Sequence, residues 1–306
     1  MLAAALHYLR HEKAMRALHM RYLVGIVLGL ALSTALLAQL PSQDAQHALD
    51  HAVRGTPSIA LILDAKTGRI LAAVRLNEAV RAAPGSVMKP FFLMHALRHE
   101  LIYPHTTVVC HRTLHIAGRN VDCTHPRSEM VFDSEQALAY SCNSYFAEMA
   151  TRFTLEDAVS ALDEYGVPST SILQTPANTQ QTQLFILGLE GMSVAPMQLA
   201  EAYRKLAGQL TGLTPNSPMQ AVMRGLQDSV AYGMAHNAYV DGLPIAGKTG
   251  TASDPGQPWT HGWFAGFAPA KSPKVVVVIY LPRGNGADAA HLAQMFFSGY
   301  KGALLP

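Results

Sequence analysis

The sequence has little charge, little cysteine and only one long apolar run. Asp, Glu, Lys and Arg make up 14% of its 306 residues, and with His neutral they sum to +2. A chain this close to neutrality lacks the charge expected of a protein whose main partner is nucleic acid. No internal repeat and no low-complexity tract is present, which sets aside repeat arrays. Cysteine occurs three times, as Cys110, Cys123 and Cys142. An odd number cannot all pair within one chain. The length allows one large domain or two small ones.

The single long apolar run is Tyr22 to Leu40, which is uncharged and close to the ~20 residues that span a bilayer as a helix. Arg10, Lys13, Arg16 and Arg21 precede it, and the first charge after it is Asp44. The positive-inside rule puts residues 1–21 in the cytoplasm and everything after the run outside. Ser33, Thr34 and Ala35 are small enough for signal peptidase, but the length of the run favours an uncleaved transmembrane anchor over 22–40. Met15 or Met20 would serve as a start without disturbing it. Residues 41–55 read as a polar linker leading into a short helix, and a globular domain is expected over 56–306.

Within that domain, Ser58–Asp64 and Arg69–Val74 flank the turn Ala65-Lys66-Thr67-Gly68, the pattern of a β-hairpin. Residues 101–133 look irregular. Helices are expected over 135–140, 145–153, 155–165, 195–206 and 219–234, with 167–190 a polar loop. Three strands follow, at 243–252, 262–267 and 274–281, then a closing helix over 287–300. Val275–Tyr280 has no polar alternation, so both of its faces should be buried. Strands at both chain ends with helices between them suit an α/β (α+β) fold, one central antiparallel sheet flanked by helices.

Three short motifs carry chemistry. Ser86 and Lys89 lie three apart, on one face of a helix. Pro90 is tolerated only in a first helical turn, so the helix should begin at or just after Ser86. A nucleophilic Ser needs a base within reach, and an amine serves if its pKa is lowered. Ser141-Cys142-Asn143 sits between two helices, with hydroxyl and amide able to face one cleft. Lys248-Thr249-Gly250-Thr251 lies on a strand, where glycine marks close approach of another backbone or a ligand, and a Lys with a Thr can hold a carboxylate. Taken singly, each also reads as an exposed helix start, a pair of helix caps or a surface strand end.

Taken in order, S-x-x-K, S-x-N and K-T-G are the signature of penicillin-binding proteins and serine β-lactamases. PGSVMKPF, SCNSYFAEMA, GLEGMSVAPMQLAEAYRKLA, AGKTGTA and HGWFAGFAP together resemble the transpeptidase domain of a penicillin-binding protein, over about residues 56–303. The resemblance implies the β-lactamase/transpeptidase-like fold and a D,D-transpeptidase acting on D-alanyl-D-alanine stem peptides of peptidoglycan. Ser86 would be the nucleophile, Lys89 its base and Ser141 a proton relay. Asn143 would orient Lys89 and bind substrate, Lys248 and Thr249 would hold the substrate's terminal carboxylate, and the backbone N–H groups of Ser86 and Thr251 would form the oxyanion hole. β-Lactams would acylate Ser86. It also implies a single-pass protein of the bacterial inner membrane with its catalytic domain in the periplasm.

The motifs are shared with D,D-carboxypeptidases, which use water as acceptor. A β-lactamase is less favoured, because neither the Glu-bearing motif of the class A enzymes nor the Tyr-Gly-Asn run of class D is present. Against a β-lactam sensor or catalytically idle wall-binding module stand the complete motifs and the lack of a signalling domain, since only 21 residues precede the apolar run. Some 15 residues separate Leu40 from Thr56, too few for the pedestal or glycosyltransferase module of larger relatives. The protein would then work close to the membrane or beside a glycan-polymerising partner.

The chemistry requires no cofactor. In an oxidising compartment Cys110 and Cys123 could pair, leaving Cys142 buried and free. Alternatively Cys110, Cys123, His125 and Cys142 form a Cys3His set suited to structural zinc. This region resembles elongation-type penicillin-binding proteins, some of which bind zinc just ahead of S-x-N. His261, before Gly262-Trp263, reads as a strand-end residue.

Overall fold

The computed structural model describes residues 42–126, 130–168, 178–254 and 256–305. The apolar run at 22–40 lies outside them, and among the described residues no helix is long and apolar enough to cross a membrane. The body begins earlier than the expected boundary at Thr56. Helix α1 (Gln43–Ala52), capped by the Ser42 side chain, buries Ala45, Ala48, Leu49 and Ala52. The segment read as a linker is therefore mostly part of the fold.

Strands β1 (Ile59–Asp64) and β2 (Ile70–Val74) form the expected hairpin. The helix after the first motif is split. A short 3-10 helix, Gly85–Met88, leads into α2 (Lys89–Arg98), with Pro90 in its first turn. The 101–133 region holds two miniature ribbons. One pairs β3 (Val108–Val109) with β6 (Val131–Phe132), and the other is the hairpin of β4 (His115–Ile116) and β5 (Arg119–Asn120). Then come α3 (Ser134–Ala139), α4 (Asn143–Ala150) and α5 (Leu155–Asp163).

The stretch read as polar loop over 167–190 contains helix α6 (Thr179–Ile186). Asn178 accepts from the Gln181 backbone and Gln181 caps Asn178 in return, a capping box that marks a helix start. Helices α7 (Pro196–Thr211) and α8 (Gln220–Ala231) follow. Strands β7 (Ala246–Ala252), β8 (His261–Ala268) and β9 (Val275–Leu281) precede α9 (Gly286–Leu304).

The five long strands make one antiparallel sheet in the order β2-β1-β9-β8-β7. Both chain ends therefore build it, and β7 is an edge strand. Alternation of side chains divides the core in two. Leu61, Leu63, Trp263, Val276 and Val278 pack with α2, α4 and α7 on one face. Ala60, Ile62, Phe264, Val277 and Ile279 pack with α1 and α9 on the other. Every residue of β9 is buried, which is why its sequence lacks polar alternation.

Candidate active site

The nucleophile candidate sits where three segments press on one turn. Gly85 is left-handed (φ +58°), a conformation glycine adopts without a Cβ clash. A Cβ on Gly85 would lie 2.8 Å from the Thr251 carbonyl oxygen. From the other side, a Cβ on Gly250 would lie 2.4 Å from the Pro84 carbonyl oxygen. The turn and β7 thus meet backbone to backbone, which places Ser86 beside Thr251. Gly188 closes the third side. Its carbonyl accepts from the Gly85 N–H at 2.9 Å, and a Cβ there would meet the Gly85 oxygen at 2.2 Å. The Tyr203 hydroxyl donates to the Val87 carbonyl at 2.8 Å. Ser86 itself is partly exposed at the surface of this braced turn.

Lys89 is fully buried, one turn on from Ser86. Its ammonium donates to Asn143 Oδ1 (2.6 Å), the Ser141 carbonyl (2.8 Å) and Ser141 Oγ (3.3 Å). It also sits 5.0 Å from the centre of the Phe146 ring. Burial lowers its pKa to about 8, against the opposing pull of the Cys123 and Cys142 sulfurs. Such an amine is able to give and take a proton near neutrality. Ser141 holds φ +56°, a strained state for a residue with a side chain. This backbone places Ser141 carbonyl and hydroxyl on Lys89 together.

Lys248 is equally buried, and the one hydrogen bond it shows among the described residues goes to the Thr249 carbonyl at 3.2 Å. Burial, and then the Lys89 charge, push it well below the usual lysine range. A buried amine with so few partners takes up charge favourably only when an anion joins it. The Thr249 hydroxyl donates to the Met234 carbonyl at 3.3 Å. Thr251 is exposed, and its hydroxyl accepts from the Gly286 N–H, at the start of α9, at 2.9 Å. All seven residues singled out for catalysis and substrate binding therefore lie on the nucleophile turn and α2, at the α3–α4 junction, or on β7.

The four Cys and His candidates also converge. The Sγ atoms of Cys110, Cys123 and Cys142 and a ring nitrogen of His125 lie within 4.8 Å of one another, and all four residues are buried. The three cysteines are free, so Cys110 and Cys123 are not joined. Cys110 Sγ is 3.3 Å from His125 Nε2, and Cys123 Sγ is 3.9 Å from Cys142 Sγ. A tetrahedral zinc with Zn–S near 2.3 Å has S···S edges of about 3.8 Å, so the set fits that ion. The surroundings fit it too. His125 Nδ1 donates to the Pro126 carbonyl at 3.0 Å, leaving Nε2 bare toward the sulfurs, as in metal-bound histidines. The Cys142 thiol, hydrogen-bonded to Cys123, pulls the latter well below the usual thiol range, while Cys142 is pushed up. The Asn143 N–H donates to Cys123 Sγ at 3.2 Å.

That last bond connects the cluster to the S-x-N and S-x-x-K residues. Asn143 Nδ2 donates to the Val121 and Asp122 carbonyls at 2.9 and 3.3 Å. The Cys123 segment thus grips Asn143 by backbone and side chain while Asn143 Oδ1 holds Lys89.

Comparisons with known proteins give the family. The family model of the penicillin binding protein transpeptidase domain matches residues 58–298. The chain belongs to that family. It is 29% identical, over a 285-residue alignment covering 74% of this chain and 69% of the relative, to a probable peptidoglycan D,D-transpeptidase PenA of Neisseria flavescens. A shorter match, 46% identical over 52 residues, is to the peptidoglycan D,D-transpeptidase PbpA of Mycobacterium tuberculosis, covering 16% of this chain and 10% of that protein. Among solved structures, a peptidoglycan glycosyltransferase of Burkholderia ambifaria superposes with a TM-score of 0.74 at 20% identity, covering 87% of this chain and 98% of that one. The transpeptidase domain of Burkholderia pseudomallei penicillin-binding protein 3 gives 0.74 and 20%, covering 87% and 96%. At those identities the likeness is one of fold.

The residues packed around Ser86 and Lys89 are not marked by the three motifs. Tyr203, Gly188 and Phe146 fall in stretches quoted for the resemblance, and a tyrosine inside an apolar helix face gave no sign that its hydroxyl would reach Val87. Asp254 and His261 act on the turn across more than 170 residues of sequence; His261 opens a quoted stretch but read only as a strand end, and no local pattern marks Asp254.

Proposed function

We propose that this protein is a membrane-anchored peptidoglycan D,D-transpeptidase working through a serine acyl-enzyme. The observation that carries the reading is Lys89, buried, with a lowered pKa, one turn from Ser86 and bonded to both Ser141 and Asn143. Neutral Lys89 takes the proton from Ser86 Oγ as that oxygen attacks the carbonyl between the two D-alanines. The oxyanion is received by the N–H groups of Ser86 and Thr251, each such donor being worth roughly 3–4 kcal/mol in the transition state. Ser141 passes the proton to the leaving D-alanine amine, so the C–N bond breaks as the ester forms. Lys248 and Thr249 hold the terminal carboxylate. An amine of a second stem peptide then attacks the ester, loses its proton to the same base and releases Ser86.

The free edge of β7 supports an extended substrate, since a peptide adding to an open strand gains main-chain hydrogen bonds. Zinc held by Cys110, Cys123, His125 and Cys142 is the second element of the proposal. It supplies no chemistry to the substrate and fixes the loop that carries Ser141 and Asn143. The apolar run at 22–40 supports placement in the inner membrane, with the catalytic body on the periplasmic side and a glycan-polymerising partner nearby.

The test is incubation of the protein with a D-alanyl-D-alanine pentapeptide and an amine acceptor, resolving products by mass. A cross-linked product with release of D-alanine supports the reading. Release of D-alanine with tetrapeptide alone would make the protein a carboxypeptidase, and release of neither would remove the enzymatic reading.

A further inference from the structure

Ala83 stands three residues before the nucleophile candidate, in a segment whose neighbours bond to backbone. Ala82 exchanges both of its bonds with Val194, and Gly85 donates to Gly188. Ala83 is different, because both of its backbone groups are taken by distant side chains. Its N–H donates to Asp254 Oδ1 at 3.2 Å. Its carbonyl accepts from His261 Nε2 at 2.7 Å and from Trp263 Nε1 at 3.1 Å. His261 Nδ1 in turn lies 3.5 Å from Asp254 Oδ2. His261 is 2% exposed and Trp263 is fully buried, so the contact to the carbonyl is sealed from water.

Both donors to that carbonyl belong to β8, the partner strand of β7. His261 pairs with Ala252 and Trp263 with Gly250. The frame that holds Ala83 is therefore the same pair of strands that carries Thr251. We propose that His261 and Asp254 are positioning residues that clamp the peptide unit ahead of the nucleophile turn, fixing Ser86 Oγ relative to the Thr251 N–H. The clamp touches neither substrate nor the reacting atoms. It acts on the separation of nucleophile and oxyanion donor, which matters in the transition state and little in initial binding. A misplacement of about 1 Å at a reacting centre costs on the order of a hundredfold in rate.

The inference rests on Ser86 being the acylated residue. Its test is the single-turnover reaction of the full-length protein with a fluorescent penicillin over a range of concentrations. This yields a limiting acylation rate, a half-saturating concentration and an amplitude, the last reporting the fraction of folded sites. For His261→Ala the limiting rate should fall at least about tenfold, with the half-saturating concentration within about twofold of wild type. His261→Gln, whose amide nitrogen replaces Nε2–H, should recover most of that rate. Asp254→Asn, at a partly exposed side chain, should fall between wild type and His261→Ala. A loss of amplitude with an unchanged rate would reduce the pair to structural support and overturn the proposal, as would His261→Gln being as slow as His261→Ala. Wild type that never acylates would overturn instead the assignment of Ser86.

Discussion

The two walls of the cleft are built by different means. The wall of Ser86 and β7 is backbone against backbone. Gly85, Gly188 and Gly250 allow contacts that no side chain would permit, and the sheet behind them is buried on both faces at β9. The opposite wall, Ser141 to Asn143, is a short junction whose supports are a strained residue and a cluster of three sulfurs and an imidazole. Both walls rest on the main core, the first through the sheet and the second through α3 and α4. The second has in addition two-residue strands beside it and the Cys and His cluster to fix its junction. Lys89 spans the two, rooted in the first wall and hydrogen-bonded to the second.

That difference can be broken at the bridge itself, where the largest effect is expected. Lys89→Met should slow penicillin acylation by about a hundredfold to ten-thousandfold, the range of a lost general base. In wild type, acylation requires the neutral amine, so the rate should climb as pH rises toward about 8 and level off above it. A rate independent of pH across that interval would remove Lys89 from the role of base.

Next in size is the second wall. Cys142→Ser, or exhaustive chelation, should lower acylation about ten- to hundredfold, as loss of supports around a metal commonly does. Metal analysis should find about one zinc in wild type and none in the variant. Full acylation by metal-free protein would show that the cluster does not support the wall. The first wall is sharpened by Gly250→Ala, whose new Cβ has 2.4 Å to the Pro84 oxygen and must push the turn from β7. Acylation should slow by at least about tenfold while zinc content stays unchanged. Parallel loss of zinc would mean that the walls are not separately supported. The smallest effect belongs to a feature outside both walls. Glu164→Gln removes the Arg98–Glu164 ion pair, where each side chain is about a third exposed (34% and 32%). It should change stability by less than about 1 kcal/mol, read from denaturant unfolding, and leave acylation alone.

Legibility in the sequence follows the same division. Pro90 and the Ser86–Lys89 spacing marked the nucleophile helix, and the uniform β9 run marked a central strand, because each depends on local rules. The 3-10 turn ahead of α2 was not legible, since it is imposed by Gly188 and Gly250 from outside. Helix α6 was hidden because its apolar residues Leu184 to Ile186 form a block without helical spacing, although Asn178 and Gln181 carried its start signal. The four Cys and His residues could be grouped by type, but two pairings remained open, because spacing alone does not say which atoms meet. Of the supports of Ala83, His261 and Trp263 stood in a quoted stretch and read only as strand residues, and Asp254 carried no local signal.

The most direct measurement is labelling with a fluorescent penicillin followed by peptide mapping, with Ser86→Ala in parallel. The account requires a stable ester on Ser86 in wild type and no label on the variant. A label on any other residue, a label that survives Ser86→Ala, or one that is shed within seconds would contradict it.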